Sequence, residues 1–209
     1  MKLYGYWRST TSYRVRIALH LKGLAFDTVP VDLLAGAQRS DDYLALNPIG
    51  GVPSLMLDDG TVLTQSMAIL EYLEAVHPAP ALLPGDPVDS ANVRAAACVI
   101  ASDIHPVNNL KVVAAIKEMG HSQEEAVQWM KDWMLRGLLA YQALLPGGTE
   151  FSFGDTPSLA DICLIPQLYN AHRWGTDLSA LTRLTAIETR CLALPAFAAA
   201  HPNQQPDAT

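Results

Sequence analysis

The sequence predicts two parts, a small α/β domain followed by an all-helical one, and three observations carry that prediction. Over the first 80 residues the apolar patterning switches between strand and helix periods in the order β-α-β-α-β-β-α. Pro78, Pro80, Pro84 and Pro87 then fall within a short stretch that suits neither element type. From Val88 onward the signals are almost wholly helical, with strand signals nearly absent. These observations place an α/β domain at 1–80, a linker at 81–87 and a helical domain at 88–209.

The elements follow in order. Lys2 to Tyr6 is β-prone, and Tyr13, Ile17 and Leu21 behind it fall at helical spacing, with Gly23 as the stop. Phe26 to Val31 reads as the second strand. Ser40 is placed to cap a short helix through Leu46, which Asn47-Pro48 ends. Ile49 to Leu57, the Asp58-Asp59-Gly60 turn and Thr61 to Leu63 read as a β-hairpin. Gln65-Ser66 opens the third helix, with Ser66 as its cap and Ile69, Leu70, Tyr72 and Leu73 on its buried face. In the helical part, runs are expected from about Asp89 to Met119, bent or broken at Pro106, from Ser122 to Leu145, and from Ser158 to about Asn170. Ser158-Leu-Ala-Asp161 has the form of a capping box. The final HPNQQPDAT is polar and proline-containing, and is expected to lie extended on the surface.

Composition narrows the function. Half of the 209 residues are hydrophobic, ample for a core without disulfides or metals. Cys98, Cys163 and Cys191 are widely spaced and form no CxxC, so no metal site is expected, and they read as core, as do Trp129 and Trp133. No signal or membrane-spanning run is evident, so a cytoplasmic protein without a membrane partner is expected. A net charge of −7 argues against nucleic acid.

The chemistry concentrates in WRSTTSYR, residues 7–14, between the first strand and the first helix. Ser9, Thr10, Thr11 and Ser12 stand between Arg8 and Arg14 at a helix N-terminus, where free N–H groups and the macrodipole favour negative charge. One N-cap needs one hydroxyl, and Ser12 reads as that cap. The remaining hydroxyls and the arginines make a seat for an anion.

These residues, together with ALNPIGGVPSL, LTQSMAILEYLE, LLPGD, FGDTPSLADICLIPQ and HPNQQPD, resemble the zeta-class glutathione transferases along the whole chain. The resemblance implies a thioredoxin-like N-terminal domain, an all-helical C-terminal domain, glutathione as cofactor and a homodimer. It implies glutathione-dependent cis–trans isomerisation of a maleyl keto-diacid in aromatic catabolism. The alternative on the same fold is a transferase that conjugates or dehalogenates small electrophiles. An interaction module without activity is disfavoured, because Ser9, Val52-Pro53 and Gln65-Ser66 are all intact.

One departure from the family pattern is informative: Ser9-Thr10-Thr11 stands where many zeta proteins carry Ser-Ser-Cys. The catalytic thiol is then the cofactor's own, and the turn serves to stabilise its thiolate. Ser9 is the first choice as donor, with Thr10 and Thr11 as alternates. The resemblance further implies that a cis bond before Pro53 turns the Val52 backbone toward glutathione, and that Gln65 and Ser66 take its γ-glutamyl carboxylate. Gln38, His105 and Asn109 match positions that contact glutathione. Arg8 and Arg173 are candidates for the substrate's carboxylates, because a planar guanidinium pairs with them bidentately. Lys111 is a further cation for the same task. Glu71 and Glu74 read as solvated helix positions.

Overall fold

The computed structural model describes residues 1–208, which divide into two compact units: 1–82 with 192–208, and 83–191. The sequence assigns 88–209 to the helical domain, but the structure folds the segment after 191 into the first unit instead. α-Helix α9 (Pro195–Ala200) packs on α1 (Thr10–Leu21), and the residues beyond it are not extended but form a 3-10 turn at Pro202–Gln204. Pro202 and Phe197 are buried, so apolar surface in this segment overrides its polar composition.

In the first unit a four-stranded sheet runs in the order β2-β1-β3-β4, with β1 (Lys2–Gly5), β2 (Asp27–Pro30), β3 (Ser54–Met56) and β4 (Val62–Thr64). β1 and β2 are parallel across the α1 crossover, whereas β3 is antiparallel to both β1 and β4. Leu3 pairs with Leu55 at the centre of the sheet, and both are fully buried. Tyr13 and Ile17 of α1, with Ile69, Leu70 and Leu73 of α3 (Ser66–Val76), complete the core. The short helix α2 (Asp41–Leu46) is capped by Ser40 as its sequence requires. The hairpin is shorter than the apolar run suggests: β3 starts at Ser54, since Pro53 has no N–H for a ladder. Lys22, at the end of α1, is buried and pairs with Glu74 at 2.7 Å, and Glu74 also accepts the Leu82 N–H, so Glu74 is not a solvated position.

The second unit is helical throughout: α4 (Pro87–Cys98), a π-helical stretch (Val99–Ile104), α5 (Leu110–Glu118), α6 (Gln123–Leu144), α7 (Leu159–Trp174) and α8 (Thr182–Leu192), whose last residue belongs to the first unit. The break expected at Pro106 is present, preceded by the widened turn. Ser122 and Glu125 form a reciprocal cap on α6. At the start of α7 the buried Asp161 carboxylate accepts the N–H and hydroxyl of Ser158 and the N–H of Ser152, which offsets the cost of burying it. Burial still raises its pKa. Cys163 and Cys191 are core residues as expected, but Cys98 is exposed, and so is Trp129, whose indole donates to the Val107 carbonyl at 2.9 Å. Among the described residues no helix is long and apolar enough to cross a membrane.

Candidate active site

The turn between β1 and α1 is ordered by its own hydroxyls. Ser9, not Ser12, is the N-cap: its Oγ accepts the Ser12 N–H at 3.2 Å. Ser12 is fully buried beneath Gly5, where an added Cβ would lie 3.0 Å from the Ser12 Oγ. A side chain at the end of β1 would therefore crowd Ser12. Thr11 Oγ1 donates to the Val52 carbonyl at 2.8 Å and lies 2.9 Å from Ser9 Oγ. A hydroxyl has one proton, and that of Thr11 is committed to Val52, so Ser9 is the donor in the Ser9–Thr11 bond. A directed chain Ser9→Thr11→Val52 thus joins the helix start to the neighbouring corner. Thr10 is the first helical residue and is buried.

That corner is built from below. The Val52–Pro53 bond is cis, as the resemblance implies. The preceding carbonyl, Gly51, accepts the Tyr43 hydroxyl at 2.6 Å and the Asn47 amide at 2.7 Å, and Asn47 also donates to the buried Ser54 Oγ at 3.1 Å. Burial, the largest influence, raises the Tyr43 pKa and keeps it a donor. Tyr43 and Asn47 went unrecognised as site residues in the sequence, where Asn47-Pro48 reads only as a helix stop. The Gln38 carbonyl lies 3.3 Å from where a Cβ on Gly50 would stand, which sets Gln38 beside the same corner.

At the start of α3, Gln65 holds the left-handed φ of 68°, a strained choice for a non-glycine residue. It occupies the cap position, so Ser66 is the first helical residue rather than the cap. Ser66 is buried, and its Oγ lies 3.3 Å from the guanidinium of Arg14, which is itself buried. The Arg14 guanidinium thus reaches the N-terminus of α3. Helix end, Ser66 and Arg14 together favour a carboxylate there.

Arg8 is held by two aromatic rings. Its guanidinium lies 4.6 Å from the centroid of the Trp7 ring and 5.9 Å from that of Tyr6, and donates to the Tyr6 hydroxyl at 3.1 Å. Arg8 is half-buried in this setting.

In the second unit, half-buried His105 ends the π-helical stretch. Asn109 caps α5, its side-chain oxygen accepting the Lys111 N–H at 3.1 Å, so only its NH2 is uncommitted by this bond. Lys111 is exposed. Arg173 is exposed in the last turn of α7, its guanidinium 4.9 Å from the Trp174 ring centroid.

The family model described as glutathione S-transferase, N-terminal domain, matches residues 8–76, the span that holds this turn, corner and helix start. The chain is 48% identical over 209 residues to the maleylacetoacetate isomerase of Pseudomonas aeruginosa, covering 99% of this chain and 98% of that one. Among solved structures it is similar to a holo structure of maleylpyruvate isomerase, described as a bacterial glutathione S-transferase in zeta class, with 42% identity, full coverage of both chains and a TM-score of 0.97. It is also similar to the maleylacetoacetate isomerase of Methylobacterium extorquens AM1 solved with malonate and GSH bound, with 40% identity, full coverage and a TM-score of 0.95. Likeness at this level over the whole length, joined to the turn, corner and helix start described above, places the chain in the zeta class of the glutathione transferase family.

Proposed function

We propose that the chain is a glutathione-dependent cis–trans isomerase of a maleyl keto-diacid, maleylacetoacetate or maleylpyruvate, working by reversible thiolate addition. The observation that carries this reading is the Ser9→Thr11→Val52 hydroxyl chain beside Arg8: an anion-stabilising turn that contains no protein thiol. Its nucleophile has to be borrowed. The residues fit glutathione, with hydroxyl donors at one helix N-terminus for a thiolate and Ser66 with Arg14 at another for a carboxylate.

Glutathione, when bound, supplies a thiolate whose addition to the conjugated double bond leaves a single bond free to rotate. Ser9 is the donor to that sulfur, because its proton can leave Thr11 without unmaking the Thr11–Val52 bond. A hydroxyl and a helix N-terminus at the sulfur lower its pKa toward neutrality. Thr11 keeps Val52 in register for the cysteinyl backbone. Arg8 takes a substrate carboxylate and adds positive charge as the keto oxygen becomes anionic. Within the second unit the reading assigns carboxylate binding to Arg173 and Lys111, and glutathione contact to His105 and Asn109. A cytoplasmic homodimer belongs to the same reading, and light scattering on the purified protein tests the dimer.

The test follows the keto-diene absorbance of maleylacetoacetate and of maleylpyruvate, with and without glutathione. Turnover that requires glutathione without consuming it supports the isomerase, and the ratio of the two efficiencies names the substrate. Consumption of glutathione with a halogenated electrophile, and no turnover of either diacid, would move the chain to the conjugating transferases.

A further inference from the structure

Both backbone groups of Trp7 are held by side chains from elsewhere in the first unit. The Trp7 N–H donates to the carboxylate of Asp207 at 3.0 Å, across 200 positions of sequence. The Trp7 carbonyl accepts the Arg16 guanidinium at 2.9 Å, and Arg16 Nε donates in turn to the carbonyl of Ala200, the last residue of α9. Arg16 is itself buried. The segment from α9 to Asp207 therefore grips the residue next to Arg8 by its peptide groups.

We infer that Asp207 is a positioning residue for Arg8, and that segment 195–208 is a strap that aims the Arg8 guanidinium by fixing the Trp7 peptide. Trp7 is only 8% exposed, so its ring has one packed position, and the Arg8 guanidinium rests on that ring. Releasing the Trp7 N–H lets the 6–8 backbone turn and moves the guanidinium with it. A carboxylate acceptor makes the bond stronger than a neutral one. The strap also has hydrogen bonds of its own that do not involve Asp207. Gln205 Nε2 donates to the carbonyls of Ala199 and His201, and His201 Nδ1 accepts the Asn203 N–H.

The inference rests on the isomerase reading, in which Arg8 binds a substrate carboxylate. Its test compares wild type, D207A, D207N and a chain ending at Gln205 in three readouts. D207A and the shortened chain should raise KM for the keto-diacid roughly tenfold, the scale expected of a misdirected binding group, with conjugation of a neutral chloronitroaromatic electrophile kept near wild type. D207N, which still offers an oxygen to the Trp7 N–H, should stay within about twofold of wild type. Hydrogen exchange at the Trp7 amide should accelerate in D207A and remain slow in D207N. Equal loss of both activities in D207A, or an unchanged diacid KM, would overturn the inference. Unchanged Trp7 exchange in D207A would overturn the strap contact itself. Wild-type protein with no diacid turnover, but with Trp7 exchange sensitive to D207A, would instead sink the isomerase reading.

Discussion

Placing a methyl group on Gly137 of α6 sets it where Ile104 already stands. An ideal Cβ there lies 2.2 Å from Ile104 Cγ1 and 2.4 Å from Cδ1, against the roughly 3.5–4.0 Å of an ordinary carbon contact. Ile104 is buried, so relief requires an off-rotamer side chain or a shift of backbone. Overpacking of this kind costs about 1–3 kcal/mol, and two overlaps of more than an ångström argue for the top of that range. The helix-propensity gain of Gly→Ala returns about 1 kcal/mol, leaving G137A destabilised by about 2 kcal/mol. I104A alone should cost about 3 kcal/mol through lost contacts and a cavity. In the double variant both offending atoms are gone, and the remaining Ile104 Cβ position lies at an ordinary 3.6 Å. The new methyl then fills part of the cavity and keeps its propensity gain, so the double variant should cost about 2 kcal/mol rather than the additive ~5 kcal/mol. Urea denaturation of the four proteins, followed by circular dichroism, measures this coupling of about 3 kcal/mol. Additivity within about 0.5 kcal/mol would refute the reasoning.

Ser9→Ala should lower kcat by about 10²-fold through loss of the sulfur donor, and stability by about 1 kcal/mol through loss of the α1 cap; Thr11→Val should act mainly on the KM for glutathione. A kcat loss in T11V equal to that in S9A would refute this division of roles. Tyr43→Phe leaves the Gly51 carbonyl to Asn47 alone, and is expected to cost about 1–2 kcal/mol in urea denaturation and to raise the glutathione KM severalfold. His201 has its pKa lowered from the ordinary 6.5, first by burial and then by the charge of Arg16. The unfolded chain therefore binds more protons between that lowered value and 6.5, so stability rises with pH through this window and is lost as pH falls through it. His201→Gln should flatten the melting temperature between pH 5 and 7, although His20, lowered for the same reasons, keeps part of the slope. A slope unchanged from wild type would exclude His201 as a source of the acid loss.

Much of the fold is legible along the chain because its signals are local. Period and punctuation identify the strands and helices of the first 80 residues, and the caps at Ser40, Ser122 and Ser158 are written within three or four residues of the helices they start. The hydroxyl turn is legible for the same reason: a run of Ser and Thr at a helix N-terminus has a chemical meaning wherever the helix goes. What the sequence by itself could not decide is which partner each polar group takes. Ser9 rather than Ser12 caps α1 because Ser12 is carried under Gly5 when the strand and helix pack. Arg14, next to the turn in sequence, reaches Ser66, while Asp207, 200 positions distant, arrives at Trp7. Such pairings depend on where burial of apolar surface drives each element, a sum over many weak contacts with no local signature. The sequence by itself therefore determined the order of elements and the kind of chemistry, and only the tertiary structure decided the direction of the Ser9→Thr11→Val52 chain and the bond from Trp7 to Asp207.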